Sequence, residues 1–432
     1  MRKPITAEAG RSIKVLLGAW QHAGDRALTA APQARAASLG WAGFQGWLLF
    51  LGIALPAVSW VWLLNGFPLV FPDTSSYLLS GLRLWAPWDR PIWYGLLLRL
   101  LRPIGLGGVA LLQVAMALVA VRLAFGYLDR ARPWATTALA VLLAGFTGLS
   151  WFGPFLIPDI FLPVIVLALY GIVFSGERAR RWSVAGLLAV LLVGLLVHTS
   201  HILIVAVLLL AGLILWGLAA VWPWAATVVP RLPLARLLAI AGVIAVATLA
   251  SAAVNRHAYG RWTLSPGGHA FLIDRFMADG TLKRVLDRHC AGHEDAFVDC
   301  GVRNELPSKP DWYLWSGRSP FSFEWQPAPD RLHVEMDGTP AAVELSRIED
   351  EQLISLSLRE DPLAHVAAAV KAAAKQFFLV RTGNELLVKQ PWLKVERAID
   401  AYEPSALPRY RASLQARMRL PIDVSNRLNA LF

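Results

Sequence analysis

Between Trp47 and Val254 the sequence is a succession of apolar runs divided by short polar connections. Several of these runs reach about 18 residues or more, the length at which a helix spans the hydrocarbon of a bilayer. In a soluble fold of this size so much continuous apolar surface has nowhere to go. With 56% hydrophobic and only 16% charged residues over 432 positions, a disordered chain and a soluble globule are both poor readings. The pattern predicts an all-α polytopic membrane protein. The 19 tryptophans agree, since indole favours the interface, with its ring buried and its N–H wet.

Hydropathy places seven spans near 44–66, 104–127, 134–151, 155–174, 182–198, 201–222 and 233–254. Residues 1–43 form a basic leader carrying Arg2, Lys3, Arg11, Lys14, Arg26 and Arg35, and Ile13 to Trp20 suits an amphipathic surface helix. No cleavable signal peptide is expected, because the first apolar run is too long for a signal core. Basic residues recur after spans two, four and six (Arg130 and Arg132; Arg178, Arg180 and Arg181; Arg231 and Arg236) and are missing after spans three and five. That alternation predicts a cytoplasmic N-terminus and an outer C-terminal part. It also accounts for much of the net charge of +11 and speaks against nucleic acid as a partner.

Beyond Asn255 the composition turns mixed, with turn signals at Ser265-Pro266-Gly267-Gly268 and Pro307-Ser308-Lys309-Pro310. Residues 255–432 are expected to form a small, mostly helical outer domain. Within it Pro362 to Arg381 is apolar but carries Lys371 and Lys375 on one face, which favours an interfacial helix over an eighth span. Cys290 and Cys300 have two readings, a bridge closing a short loop in an oxidising compartment or two free thiols.

The polar residues beside the membrane carry the chemistry. After the first span come Pro72-Asp73-Thr74-Ser75-Ser76-Tyr77 and then Asp89-Arg90-Pro91-Ile92-Trp93-Tyr94. The apolar spacing between and after them predicts two short interfacial helices, broken by Pro87 and Pro91. Arg83, Arg90, Arg99 and Arg102 are retained on the outer side against the topological rule, so they meet an anion there or snorkel to lipid phosphates. Asp159 opens span four, and His198 and His201 occupy the turn between spans five and six, all on the same predicted face. Asp73 and Asp159 also suit a helix cap. The two imidazoles stand three residues apart on one face, as metal ligands or as interfacial groups bonded to backbone and substrate.

Asp73 just after the first span, Tyr77 one turn on, Arg90-Pro91-Ile92 further along, and Pro158-Asp159 followed by Ile160-Phe161-Leu162-Pro163 together resemble the GT-C superfamily of membrane glycosyltransferases. The resemblance covers roughly 44–254, with Thr74 standing where many members have a second acid and Ile92 where they have a second proline. It implies a seven-span module in the bacterial inner membrane with an outward-facing site. The donor would be a polyprenyl-phosphate-linked sugar, and the acceptor an envelope glycan, lipid or protein.

In that reading Asp73 takes the acceptor's hydroxyl proton, and Arg90, with Arg83 or Arg99 in reserve, holds the departing phosphate. Asp159, Tyr77, His198 and His201 orient substrate. A divalent cation (Mg or Mn) is the one cofactor the reading admits, with Asp73, Asp159 and His201 as its candidate ligands. Trp312 and Arg318, in Asp311-Trp312-Tyr313-Leu314-Trp315 and beyond, offer a sugar-stacking surface or the core of a small domain. Two rivals predict different features: a lipid-linked sugar flippase would have charged or broken helices in mid-membrane, and a non-catalytic scaffold would tolerate loss of Asp73.

Overall fold

A computed structural model describes residues 41–128, 133–174, 181–222, 233–293, 296–306, 312–315, 340–378, 386 and 392–422. The leader, Arg130, Arg132, Arg178, Arg180, Arg231 and Arg318 therefore lie outside the described residues or at their margins. Among the described residues the protein is all-helical, with no strand beyond a single bridge. Three helical stretches are long and apolar enough to cross a membrane: Trp93–Phe125, Thr199–Val221 and Leu234–Tyr259. Four shorter apolar helices, Gln45–Val58, Trp134–Phe146, Pro158–Phe174 and Ser183–Val197, stand where the other spans are predicted.

The helices that frame the site follow in chain order. α1 (Trp41–Val58) and α2 (Trp60–Asn65) lead to an extended segment, then α3 (Pro72–Arg83) and α4 (Trp93–Leu101). α5 (Gly105–Leu128), α6 (Pro133–Phe146) and the short α7 (Leu149–Phe152) precede a single 3₁₀ turn at Pro158–Ile160. α8 (Phe161–Phe174), α9 (Arg181–Val197), α10 (Thr199–Val221) and α11 (Leu234–Tyr259) complete the apolar part. Seven further helices follow: α12 (Gly268–Ala278), α13 (Thr281–His289), α14 (Trp312–Trp315), α15 (Pro340–Glu360), α16 (Pro362–Phe377), α17 (Leu393–Tyr402) and α18 (Leu407–Ala412).

α3 and α4 are the two short helices predicted from the apolar spacing. They touch through glycine: a Cβ on Gly81 would sit 2.1 Å from the Gly95 carbonyl oxygen, and one on Gly95 2.2 Å from Ser80 Oγ. Backbones this close leave no room for a side chain, so the crossing depends on both glycines. Arg99 donates to the carbonyls of Gly81 and Leu82 and so satisfies the C-terminal end of α3.

The C-terminal part divides between two cores. α12, α13, α14 and α15 surround a cluster built on Ile273, Leu282, Leu286, Tyr313 and Leu353, into which Trp88 inserts from the loop between α3 and α4. A Cβ on Gly267 would lie 2.0 Å from the Trp88 indole, so glycine is what admits that ring. Cys290 and Cys300 are joined as a disulfide in this region. Residues 392–422 go elsewhere. Val395, Ile399, Tyr402 and Ile422 share a core with Leu69, Tyr77 and Leu98 of the first loop. Glu403 accepts from the Leu106 N–H at 2.8 Å, placing a carboxylate at the N-terminal end of α5, where the helix dipole favours it.

α16 has no buried residue. His365 turns inward, its ring 4.2 Å from that of Phe276 and bonded to Ser357. Leu363, Val366, Val370 and Phe377 are 60–82% exposed on the face away from it. An amphipathic helix with its apolar stripe outward has the form of one that lies in a membrane interface.

Candidate active site

Two proline-aspartate pairs begin two helical segments side by side. Proline at the first helical position forces the residue before it into extended backbone, and Phe71 and Ile157 are both extended, at φ −138 ψ 163 and φ −140 ψ 161. The two extended segments meet in a parallel bridge between Leu69 and Phe155, with the Leu156 N–H donating to the Leu69 carbonyl at 2.9 Å. Thr74 Oγ1 accepts from the Phe71 N–H and donates to the Leu156 carbonyl. The turn that starts α3 is thus tied both to itself and to its counterpart. Asp73 and Asp159, one residue after each proline, open into one cavity.

Two glutamines hold this frame from distant sequence. Gln415 donates to the Val70 carbonyl at 2.7 Å, accepts from the Val70 N–H at 3.1 Å and takes the Asn65 side chain on its own N–H. Its amide serves the extended segment as a neighbouring strand would. Gln113 on α5 accepts from the Tyr94 hydroxyl at 3.0 Å and donates to the Phe155 carbonyl at 3.0 Å. Each is buried with its polar atoms engaged, which is the condition for keeping an amide in a core.

The cavity has a volume of about 420 Å³ and is lined by Asp73, Tyr77, Asp89, Arg90, Asp159 and His198 among aromatic side chains. Phe271 closes it from α12, and Gln376 from the end of α16. Arg90 is the centre of charge: it meets Asp73 at 2.7 Å and Asp89 at 2.6 Å, and its guanidinium lies 5.1 Å from the Tyr77 ring centroid. Burial alone would lower the Arg90 pKa, but Asp89 first, then Tyr77 and Asp73, offset this and raise it well above its ordinary value. The arginine stays charged. Burial pushes the Tyr77 phenol up as well, so it stays neutral.

The carboxylates differ. Asp89 is 1% exposed, and its second oxygen has no hydrogen-bond partner. Asp73 is 37% exposed and makes no cap bond, because the cap of α3 is supplied by Thr74. Asp159 is exposed, and among the described residues it has no ion pair.

A second, larger cavity of about 820 Å³ begins at the same place. It shares Asp159 and Phe152 with the first and runs between α5, α6 and α8, lined by Phe125, Leu139, Leu143, Leu162 and Val166. His201 lies against it rather than beside Asp73, its Nδ1 2.7 Å from the Gly194 carbonyl. His198 caps α10, with Nδ1 accepting from the Ser200 N–H at 3.3 Å, and its ring stacks on His201 at 5.0 Å.

Several expected site residues are not in the cavity. Arg99 is spent on the end of α3, and Arg83 lies exposed on that helix away from the cavity. Trp312 packs against the core around α12 instead of offering a free stacking face. Arg318 lies outside the described residues. Asp73, Asp159 and His201 do not gather as a metal-ligating group among the described residues, since His201 turns to Gly194 and the apolar cavity. Asp89, Gln113 and Phe271 were not singled out in the sequence. The adjacency of Asp89 to Arg90 was the one local signal for any of them.

Comparison with protein-family models, with curated proteins and with solved structures finds no match in any of the three.

Proposed function

We propose that the chain is a membrane glycosyltransferase of the GT-C kind, with seven spans, a cytoplasmic N-terminus and an outward-facing site in a bacterial inner membrane. The observation that carries the reading is the junction of the two cavities: a charged chamber holding Asp73, Asp159 and Arg90 continues at Asp159 and Phe152 into an apolar channel between helices. That shape suits an amphiphile with an anionic head and a long hydrocarbon tail, such as a polyprenyl-phosphate-linked sugar. Four of the seven spans are the shorter apolar helices. The bridge between Cys290 and Cys300 accords with an oxidising, periplasmic location for that region. The exposed stripe of α16, with Gln376 at the cavity mouth, accords with a helix resting on the outer leaflet beside the entrance.

The chemistry follows from the charges. Phosphate entering the chamber competes with Asp73 for Arg90, since guanidinium binds two phosphate oxygens at once while Asp89 still neutralises part of its charge. Asp73 is then free to accept the acceptor's hydroxyl proton. The acceptor oxygen forms its bond to the anomeric carbon as the bond to the phosphate oxygen breaks. Polyprenyl phosphate leaves with the electron pair, its negative charge held by Arg90. One displacement inverts the anomeric centre. Asp159 and His198 orient the acceptor, an envelope glycan, lipid or protein. A divalent cation is no part of this sequence of steps.

The test is sugar transfer from labelled polyprenyl-phosphate sugars in membranes holding wild type or Asp73→Asn. Loss of transfer with retained binding of polyprenyl phosphate supports the reading. Full transfer by Asp73→Asn refutes it and leaves the scaffold or flippase alternatives.

A further inference from the structure

Arg90 belongs to the connection between α3 and α4, residues 84–92, which carries no helix of its own. Pro87 and Pro91 restrict its backbone from within, since each ring fixes φ. The rest of its geometry comes from what the loop is fastened to.

The fastenings lie beyond the membrane helices. The Ala86 carbonyl accepts from the hydroxyl of Tyr259, the last residue of α11, at 2.7 Å. The Trp88 carbonyl accepts from the Gly267 N–H at 3.0 Å, just before α12 begins. The Trp88 ring is 2% exposed in the core that α12, α13, α14 and α15 surround. Gly267 lies too close to that ring to carry a methyl group, and the Phe271 ring is 5.9 Å from it between centroids. Packing this tight leaves the indole little room to shift.

The guanidinium follows the loop. Arg90 gives Nε and Nη2 to one oxygen of Asp89, at 3.0 and 2.6 Å, so two neighbouring residues of the loop hold each other. Nη1 reaches across the chamber to Asp73 at 2.7 Å. In the mechanism above, that is the contact phosphate displaces. Afterwards Arg90 and Asp89 move as one unit with the backbone that carries them, beside the face of Tyr77. Where Trp88 pins that backbone therefore decides whether the guanidinium meets the phosphate.

We propose that Trp88 is a positioning residue for Arg90, and that the core of α12 to α15 thereby sets the affinity of the chamber for its anionic ligand. This core acts on the site through Trp88 and needs no contact with the substrate phosphate. The inference rests on the glycosyltransferase reading for the identity of that ligand, a polyprenyl phosphate.

The experiment uses the full chain in nanodiscs and makes two measurements on each variant. One is equilibrium binding of labelled polyprenyl phosphate. The other is the rate at which phenylglyoxal modifies Arg90, read on its peptide by mass spectrometry, which needs no substrate. Trp88→Ala should weaken binding roughly tenfold and speed modification of Arg90, since a supporting shell sets the geometry of a charged group. Trp88→Phe, which keeps a ring in the core, should recover most of both. Gly267→Ala should act in the same direction as Trp88→Ala, because it displaces the indole without removing it. Leu286→Ala, fully buried in the same core on α13, should lower the unfolding midpoint and leave both readouts at wild-type values. Unchanged reactivity of Arg90 in Trp88→Ala and Gly267→Ala would overturn the proposal, as would wild-type affinity in both or an equal loss in Leu286→Ala. A wild type that binds no polyprenyl phosphate, with Arg90 still unmasked by both variants, would refute the donor assignment while upholding the positioning.

Discussion

The two proline-aspartate starts have nearly the same backbone and very different surroundings. Asp73 and Asp159 each follow a proline that opens a helical turn, and each proline follows an extended residue that lies two positions beyond the bridge between Leu69 and Phe155. Asp73 is drawn to Arg90, whereas Asp159 faces open space where the charged chamber meets the apolar channel. A shared local motif thus places two acids, and only long-range neighbours give them separate tasks. In the proposed mechanism Asp73 is released when phosphate takes its place on Arg90, and Asp159 stays available to the acceptor throughout.

Neutralising each acid in turn should separate them. Asp73→Asn should lower turnover about a hundredfold to ten-thousandfold, the usual contribution of a general base. Its melting temperature should barely change, because Asp73 is 37% exposed and caps no helix. Measuring transfer and thermal unfolding on the same preparation checks both.

Arg90→Gln attacks the frame instead. It leaves Asp89, 1% exposed, as an uncompensated buried charge, and should destabilise by about 3–5 kcal/mol. Adding Asp89→Asn should recover much of that stability without restoring phosphate binding. Denaturant unfolding in detergent, read beside polyprenyl-phosphate binding, distinguishes the two effects.

Asp159→Asn is expected to cost up to about a hundredfold in turnover through lost positioning, with no change in stability. A loss as deep as that of Asp73→Asn would exchange the two roles. The smallest effect is predicted for Gln113→Leu. It leaves the Phe155 carbonyl and the Tyr94 hydroxyl short of partners, at about 1–3 kcal/mol, and lets Asp159 drift relative to Asp73. Unfolding should register it before activity does.

Local chemistry made part of this arrangement legible in the sequence. Proline and apolar spacing marked α3 and α4, and the two Pro-Asp pairs marked segments that meet at one cavity. Cysteine spacing admitted the bridge that the structure contains. What stayed hidden depends on partners hundreds of residues away. Nothing near Gln415 announces that its amide will bond to Val70, and Gln113 lies in an apolar helix with no motif around it. The arginines misled for the same reason. Four of them follow the first span, and only the fold reveals that Arg99 serves carbonyls while Arg90 meets Asp73 and Asp89. Residues 392–422 were grouped with the outer domain by composition, yet their apolar face packs against the first loop.

The central claim is that one amphiphile fills both cavities, head at Arg90 and tail between α6 and α8. Photo-crosslinking with polyprenyl phosphate carrying a reactive group in its tail tests it most directly. The label should fall on peptides containing Leu139 to Leu149 and Ile160 to Leu167, and should drop sharply in Arg90→Gln. Labelling elsewhere on the helices, or labelling indifferent to the loss of Arg90, would contradict it.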